Sequence, residues 1–387
     1  MKAYAPPSPF ESILVRAPNW IGDHILSYPF FHFLRRGYPR ARIAVACVPW
    51  VEAVQFRNLV DDVVVLPRPV ARDESKPGAW ARFQSVEEGS RLAKAKGPFD
   101  LGIALPSSFS AAWFLCRAGA RSRRGYSVDA RGWLLTERVA WREAPVVHRA
   151  EAYVGLLPDS VRPKAEVKEF WGIPPKPGDE FDSGAPGVIS SFDPEKAWPD
   201  AEPVEPPEAP YWVLAPGAVA ESRRWPIERF AELARRVFTE TGWRCVVVGG
   251  VAEARLADKI IAEVGTKAAQ DLTAQGSVTR LWKLLRGSRF SVTNDSGLAH
   301  VAALCSFPGG PPVYVVWGAG DPKRTEPLGP SQVRILLNPV DCWPCERNSC
   351  SLPSAQKVEC LRGISPDAVW EEIRVGVEHR KRREQAR

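Results

Sequence analysis

The chain has 387 residues, 45% hydrophobic and 25% charged, the make-up of a globular protein with enough apolar residues for two cored domains. It carries 52 Lys and Arg against 45 Asp and Glu, a formal charge of +7. That charge suits an anionic partner (a nucleic acid, a phospholipid surface or a phosphorylated substrate), or is no more than a basic soluble surface. No run of eighteen apolar residues occurs, which excludes a membrane-spanning helix, and the prolines of MKAYAPPSPFES leave no apolar run for a signal peptide. The expected location is therefore the cytoplasm, with the eight cysteines reduced.

In chain order, Ser12–Arg16 (SILVR) reads as a short buried strand, followed by the loop Ala17–Asp23. Ile25, Leu26, Pro29, Phe30, Phe33 and Leu34 then recur at helical spacing, with Pro29 in the first turns, where proline costs least. Residues 42–48, 60–66 and 101–105 read as three further strands. Strands alternating with helices imply crossover units and a parallel sheet. From about Ile173 to Pro210 the chain is crowded with proline, glycine and acidic residues, the composition of a linker or long loop. A second alternating pattern follows. Strands are expected over 211–215, 244–248, 289–293 and 312–317, with an amphipathic helix over 227–238. The division that results is an N-terminal Rossmann-like domain over 1–172, the proline-rich joint over 173–210, a C-terminal Rossmann-like domain over 211–365, and a helix with a basic tail over 366–387. Two such domains facing one cleft are the simplest architecture. Val369, Ile373 and Val377 on the last helix are expected to pack back on the first domain.

In open α/β sheets ligands bind beyond the carboxyl ends of the strands. The second-domain strands run into Pro216-Gly217-Ala218, Gly249-Gly250, Asp295-Ser296-Gly297 and Gly318-Ala319-Gly320. Glycine lets backbone N–H groups approach a phosphate and a helix N-terminus adds a favourable dipole, so four such turns can form an anion-binding rim, with Glu253 close behind the second. Each alone is also an ordinary turn. Asp295 or Ser296 can cap the helix that follows, and Ser296 and His300 share its face; the alternatives are a phosphate or ribose site, or a plain cap and a packed histidine. Arg223-Arg224-Trp225-Pro226 either clamps a diphosphate or forms a solvated basic loop.

In the first domain, Pro18-Asn19-Trp20-Ile21-Gly22-Asp23 follows the first strand. Asp23 there is either a general base or only a helix cap. The loop lacks both G-x-G-x-x-G and a following G-K-[ST], which argues against a dehydrogenase and an NTPase. Arg117, Arg121, Arg123 and Arg124, with Arg149 after His148, can hold an anionic acceptor or form a solvated face. The fifteen tryptophans are spread along the chain rather than interleaved with a basic stripe, which argues against nucleic acid. Cys47, Cys116, Cys245 and Cys305 sit in apolar contexts and read as core residues. Cys342, Cys345, Cys350 and Cys360 have the spacing C-x₂-C-x₄-C-x₉-C; zinc, a disulfide and packed thiols are the three readings.

Together these residues resemble glycosyltransferase family nine, the ADP-heptose:lipopolysaccharide heptosyltransferases, and the Pro18–Asp23 loop is most similar to the heptosyltransferase II branch. Leu105–Phe109, Arg123–Tyr126, Arg223–Pro226, Asn294–His300, Gly318–Pro327 and the cysteine segment match in order, over about residues 12–370. The resemblance implies a GT-B fold and inversion at the anomeric carbon without a metal or other cofactor. It implies ADP-heptose as donor on the second domain, touching Gly217, Ala218, Arg224, Gly249, Glu253, Asp295, Ser296, Gly297, His300 and Gly318. It implies a lipid-linked anionic glycan on the first domain, touching Asn19, Trp20, Arg121, Arg123 and Arg124, with peripheral contact at the inner membrane. Asp23 matches the family's base, and Arg223 stands where the family carries lysine, which keeps the charge but not its point position. The rivals are a family transferase with another donor or acceptor, and a non-catalytic relative, which would be expected to have lost Asp23 or the rim.

Overall fold

The computed structural model describes residues 10–69, 78–141, 146–171, 192–330 and 332–385. They fall into two compact units. The first runs to Val167 and takes back Lys196–Trp198; the second holds Lys168–Glu195 and Pro199 onward.

The first unit carries β1 (Ser12–Arg16), β2 (Arg42–Cys47), β3 (Asp62–Val65), β4 (Leu101–Ala104), β5 (Ser122–Tyr126) and β6 (Glu137–Val139). They pair in parallel in the order β3-β2-β1-β4-β5-β6. The central strands are apolar throughout because helices cover both faces, as in doubly wound sheets. Leu14, Ala44, Ala46, Val64, Phe99, Phe114 and Leu115 form one core cluster. The helical face expected after β1 is two helices, Ile21–Leu26 and Tyr28–Gly37. Pro29 has no N–H to continue the ladder, and Ser27 closes the first helix with its N–H and Oγ, 3.0 and 2.6 Å from the His24 carbonyl.

The second unit carries β7 (Tyr211–Ala215), β8 (Arg244–Val247), β9 (Ala269–Asp271), β10 (Ser291–Asn294), β11 (Val313–Trp317) and β12 (Val333–Leu337). They are again parallel, in the order β12-β11-β10-β7-β8-β9. Counted from each unit's first strand, both sheets have the order 3-2-1-4-5-6. That order places a switch point, where connections turn in opposite directions, between β1 and β4 and between β7 and β10. The helix Ile227–Thr241 buries Phe230, Leu233, Ala234 and Val237 and ends on Gly242, whose φ of +70° only glycine adopts cheaply.

The last helix, Pro366–Gln385, departs from expectation. Val369 and Ile373 do not pack on the first domain. They are fully buried in the second unit's own core beside Trp212, Phe230 and Tyr314, with Val377 at its edge. The proline-rich joint is partly structured. Residues 172–191 lie outside the described residues, whereas Phe192, Ala197 and Trp198 are buried. Arg286 donates to the Phe192 carbonyl (2.6 Å) and Arg280 to that of Glu202 (2.7 Å).

Candidate functional site

At the first switch point, β1 ends on Arg16, whose buried guanidinium donates to the Ala17 carbonyl and, over 2.6 Å, to Oδ1 of Asn19. Trp50, in the one-turn helix Pro49–Glu52 after β2, donates Nε1–H to the Asn19 carbonyl at 2.7 Å. The loop is thus pinned from both sides before Trp20 takes the N-cap position with extended backbone. Asp23 is not that cap. It is the third residue of the helix, where the dipole favours a carboxylate. Its side chain is 24% exposed, with Oδ1 3.8 Å from Nε of Arg149. Burial and the Asp23 charge hold the Tyr153 phenol well above its ordinary range. His24, its neighbour in sequence, is fully buried and stacked on Phe56 with ring centroids 4.9 Å apart. Desolvation lowers its pKa to about 3, so it stays neutral at physiological pH. His148 caps the helix that carries Arg149, its Nδ1 accepting from Ala150 N–H at 3.2 Å. The result is a partly open carboxylate beside one cation, held by a rigid loop.

The arginines expected to grip an acceptor are placed elsewhere. Arg121 precedes β5, at the amino edge of the sheet, 3.3 Å from Asp100. Arg123 donates to the Leu134 and Ala120 carbonyls, and Arg124 to the Leu156 and Leu157 carbonyls and to Glu137. Those guanidinia tie β5 to its surroundings, so Arg121, Arg123 and Arg124 are not carried into the acceptor site.

At the second switch point the buried Asn294 ends β10. Its Oδ1 accepts from Trp225 N–H (3.0 Å) and its Nδ2 donates to the Pro216 carbonyl (2.7 Å), so one amide joins three loops. Next to it Asp295, 4% exposed, lies 3.2 Å from Nη1 of Arg223. Ser296 is the N-cap of the helix Gly297–Cys305, with no side-chain cap bond, and His300 is buried one turn in. The expected pair of arginines is split. Arg223 faces Asp295, while Arg224 folds back on the carbonyls of Ala218 (2.7 Å) and Val219 (3.3 Å).

The glycine rim is also reassigned. A Cβ on Gly217 or Gly249 would fall 2.6 Å from the Glu253 side chain, and Glu253 Oε2 accepts from Gly250 N–H at 2.8 Å. These two glycines make room for a carboxylate, not for a phosphate. That corner of the rim therefore suits a hydroxyl donor. Gly318 has a different neighbour: a Cβ there would lie 2.3 Å from the Ser222 carbonyl, so its bareness lets the turn Glu221–Arg223 dock. A cavity of about 600 Å³ lined by Pro216, Arg224, Trp225, Arg229 and Arg362 adjoins this loop.

The cysteine segment braces the same turn. Ser222 N–H donates to the Asn348 carbonyl at 3.2 Å and its Oγ to that of Arg347. Glu346 N–H reaches the Ala319 carbonyl (2.9 Å) and Trp343 Nε1–H that of Gly318 (2.9 Å). Burial, then the neighbouring Cys342, Cys345 and Cys350, push the Cys360 thiol up, so the four sulfurs share one locality. All four are free thiols, and among the described residues no three ligating side chains converge to hold a metal ion. Cys342 is exposed and Cys345, Cys350 and Cys360 are half-buried, and the first three line one small cavity of about 250 Å³. No helix among the described residues is long and apolar enough to cross a membrane.

Sequence reasoning missed Arg16, Trp50 and Asn294. Arg16 and Asn294 each close an apolar strand, but nothing in the sequence points to the partners of either.

Compared with known proteins, residues 91–356 match the family described as Glycosyltransferase family 9 (heptosyltransferase). The chain is 27% identical to lipooligosaccharide heptosyltransferase 2 of Haemophilus ducreyi over 84% of its own length and 88% of that protein's. It is 27% identical to lipopolysaccharide heptosyltransferase 2 of Escherichia coli K12, over 82% and 85%. Among solved structures it is similar to E. coli ADP-heptose lipopolysaccharide heptosyltransferase II, with TM-score 0.66, 21% identity and coverage of 96% and 99%. An E. coli heptosyltransferase determined with ADP gives TM-score 0.64 at 15% identity, over 94% and 99%. With two six-stranded parallel sheets, the fold is of the GT-B kind.

Proposed function

The chain belongs to glycosyltransferase family 9, and we propose from that membership that it moves heptose from ADP-heptose to the inner core of a lipopolysaccharide, with inversion. The relatives' names supply the substrate class. The observation that carries the chemistry is Asp23, a partly open carboxylate in the first helical turn at the first sheet's switch point. In this reading Asp23 takes the proton from the acceptor hydroxyl. The hydroxyl oxygen attacks the anomeric carbon, and the bond to the diphosphate breaks on the opposite side. Arg223 and the N-terminus of the helix Gly297–Cys305 receive the developing charge on the leaving ADP. Asp295 holds Arg223 in place, and Glu253 accepts from the ribose hydroxyls, as acidic residues do in nucleotide-binding α/β folds. Asn19 and Trp20 border the acceptor. No step requires a metal, and the work is done in the cytoplasm, at the inner membrane where the lipid-linked acceptor sits.

Asp23→Asn keeps the shape and removes the base. It lowers kcat by about 10²–10⁴, the usual worth of general-base catalysis, while the melting temperature stays put. Transfer within a few-fold of the unaltered enzyme removes Asp23 from the mechanism. A panel of nucleotide-sugars read by product mass tests the donor, for which Arg223 in the lysine position is the reason to look beyond ADP-heptose.

A further inference from the structure

Asn294 is fully buried, so it is out of a substrate's reach and can act only through its neighbours. Its bond from Trp225 N–H (3.0 Å) and the ion pair of Asp295 with Arg223 (3.2 Å) tie two consecutive residues to one short turn. A closed ring results: along the chain from Asn294 to Asp295, across to Arg223, along to Trp225 and back to Asn294. The far side of Trp225 is held as well. Its indole donates to the Ile364 carbonyl at 3.1 Å and meets Phe230 edge-on, with ring centroids 4.8 Å apart. On the other side of Arg223, the Ser222 carbonyl accepts from Ala319 N–H at 3.2 Å. Arg223 thus stands between two anchored residues. Its Nε–H is buried and meets no acceptor among the described residues. A free side chain would relax so unfavourable an arrangement, so the anchored turn dictates where the guanidinium lies.

An amide is the side chain this junction requires. Trp225 presents a donor, Pro216 an acceptor, and the next residue, Asp295, is a carboxylate only 4% exposed. Asparagine answers both partners with separate atoms and adds no second buried charge. We propose that Asn294 is a positioning residue for transfer: its amide fixes the turn so that Arg223 is in place for the leaving diphosphate before the donor binds. The proposal rests on the reading of Arg223 at the leaving group. A cation already fixed where charge develops needs no rearrangement during the reaction, so the benefit falls on kcat.

The test is a double-mutant cycle on the full-length chain, with Asn294→Ala, Arg223→Ala and the two combined. Asn294→Ala should lower kcat about ten- to hundredfold, the usual cost of leaving buried partners unpaired, with a smaller change in donor KM. In the Arg223→Ala background it should cost less than about twofold, because a residue acting through Arg223 has nothing left to position. Asn294→Asp covers an alanine variant that does not fold. Protonated, the new carboxyl accepts from Trp225 and donates to Pro216 as the amide does. Ionised, it cannot donate and sets a charge beside Asp295. Its kcat, divided by that of the unaltered chain at the same pH, should fall as pH rises, and the slope should vanish when Arg223 is alanine. Losses that add in the double variant overturn the proposal, since Asn294 then works through the Pro216 turn alone. A pH-independent ratio for Asn294→Asp overturns it too. So do Asn294 variants that melt lower at an unaltered kcat, which make the amide purely structural. Arg223→Ala with the unaltered rate sinks the reading of Arg223 itself, and the single variant shows this separately from the cycle.

Discussion

Asp23 and His24 are adjacent on one short helix and have opposite fates, because the helix turns one to the surface and the other into the core. His24 stacks on Phe56, where burial disfavours the imidazolium more than the hydrogen bond to the Val54 backbone favours it. Its folded pKa of about 3 lies below the ordinary value near 6.5. Above pH 6.5 both folded and unfolded states hold it neutral and it adds no pH dependence. Below about 6.5 the unfolded chain takes the proton and the folded one does not, so stability falls with falling pH, by up to about 1.4 kcal/mol per unit, down to about pH 3. His32, lowered by burial and by Arg36, acts in the same direction. His24→Phe should flatten its share of that slope in chemical unfolding between neutral pH and about pH 4, and an unchanged slope would show that the imidazole is hydrated in the folded state. Although only the family resemblance favoured Asp23 as a base over a cap, Asp23, Arg223 and Asp295 could be named as candidates from the sequence because each lies beyond an apolar strand that sets its place on the sheet edge. Asn294 could not, because its two partners, Trp225 and Pro216, are about seventy residues away in sequence. Arg16 read as the end of a strand, and nothing in SILVR says that its guanidinium staples the next loop.

At the scale of elements, the strands that sequence pattern found are the ones buried on both faces. SILVR, RIAVAC, YWVLA and VYVVW are near-continuous apolar runs. β5 (SRRGY), β6 (ERV), β9 (AQD) and β12 (VRILL) escaped. The last three are edge strands, two of them only three residues long, and β5 hides two arginines whose heads reach carbonyls. The same failure led the basic run there to be read as a binding face. The turn Glu221–Arg223 shows what an element can owe to a distant glycine. Gly318→Ala would set a methyl 2.3 Å from the Ser222 carbonyl, and backbone cannot give way as a side chain can. We expect a loss of about 1–3 kcal/mol in stability and a rise in the donor KM, since Arg223 moves with the turn. Thermal unfolding and initial-rate kinetics read the two effects, and a variant with normal donor KM would detach the turn from donor binding.

For the whole molecule, the path of the chain matters as much as its folds. The first unit releases the chain after Val167 and takes back only Lys196–Trp198, and the second unit holds what lies on either side of that short return. The return is built in: Ala197 and Trp198 are buried, and Arg57 N–H donates to the Ala197 carbonyl at 3.0 Å. The polypeptide therefore crosses three times, and no single cut in the gene yields both units whole. A fragment stopping at residue 167 lacks the tryptophan that fills its own interior. It should unfold several degrees lower than one carried through to Trp198, since losing a buried tryptophan costs about 3–5 kcal/mol. Equal melting of the two fragments would show that the returning segment is dispensable. If the lower melting is found, dissection of this enzyme, or exchange of one half with a relative's, has to follow the thread of the chain and not the midpoint of the sequence.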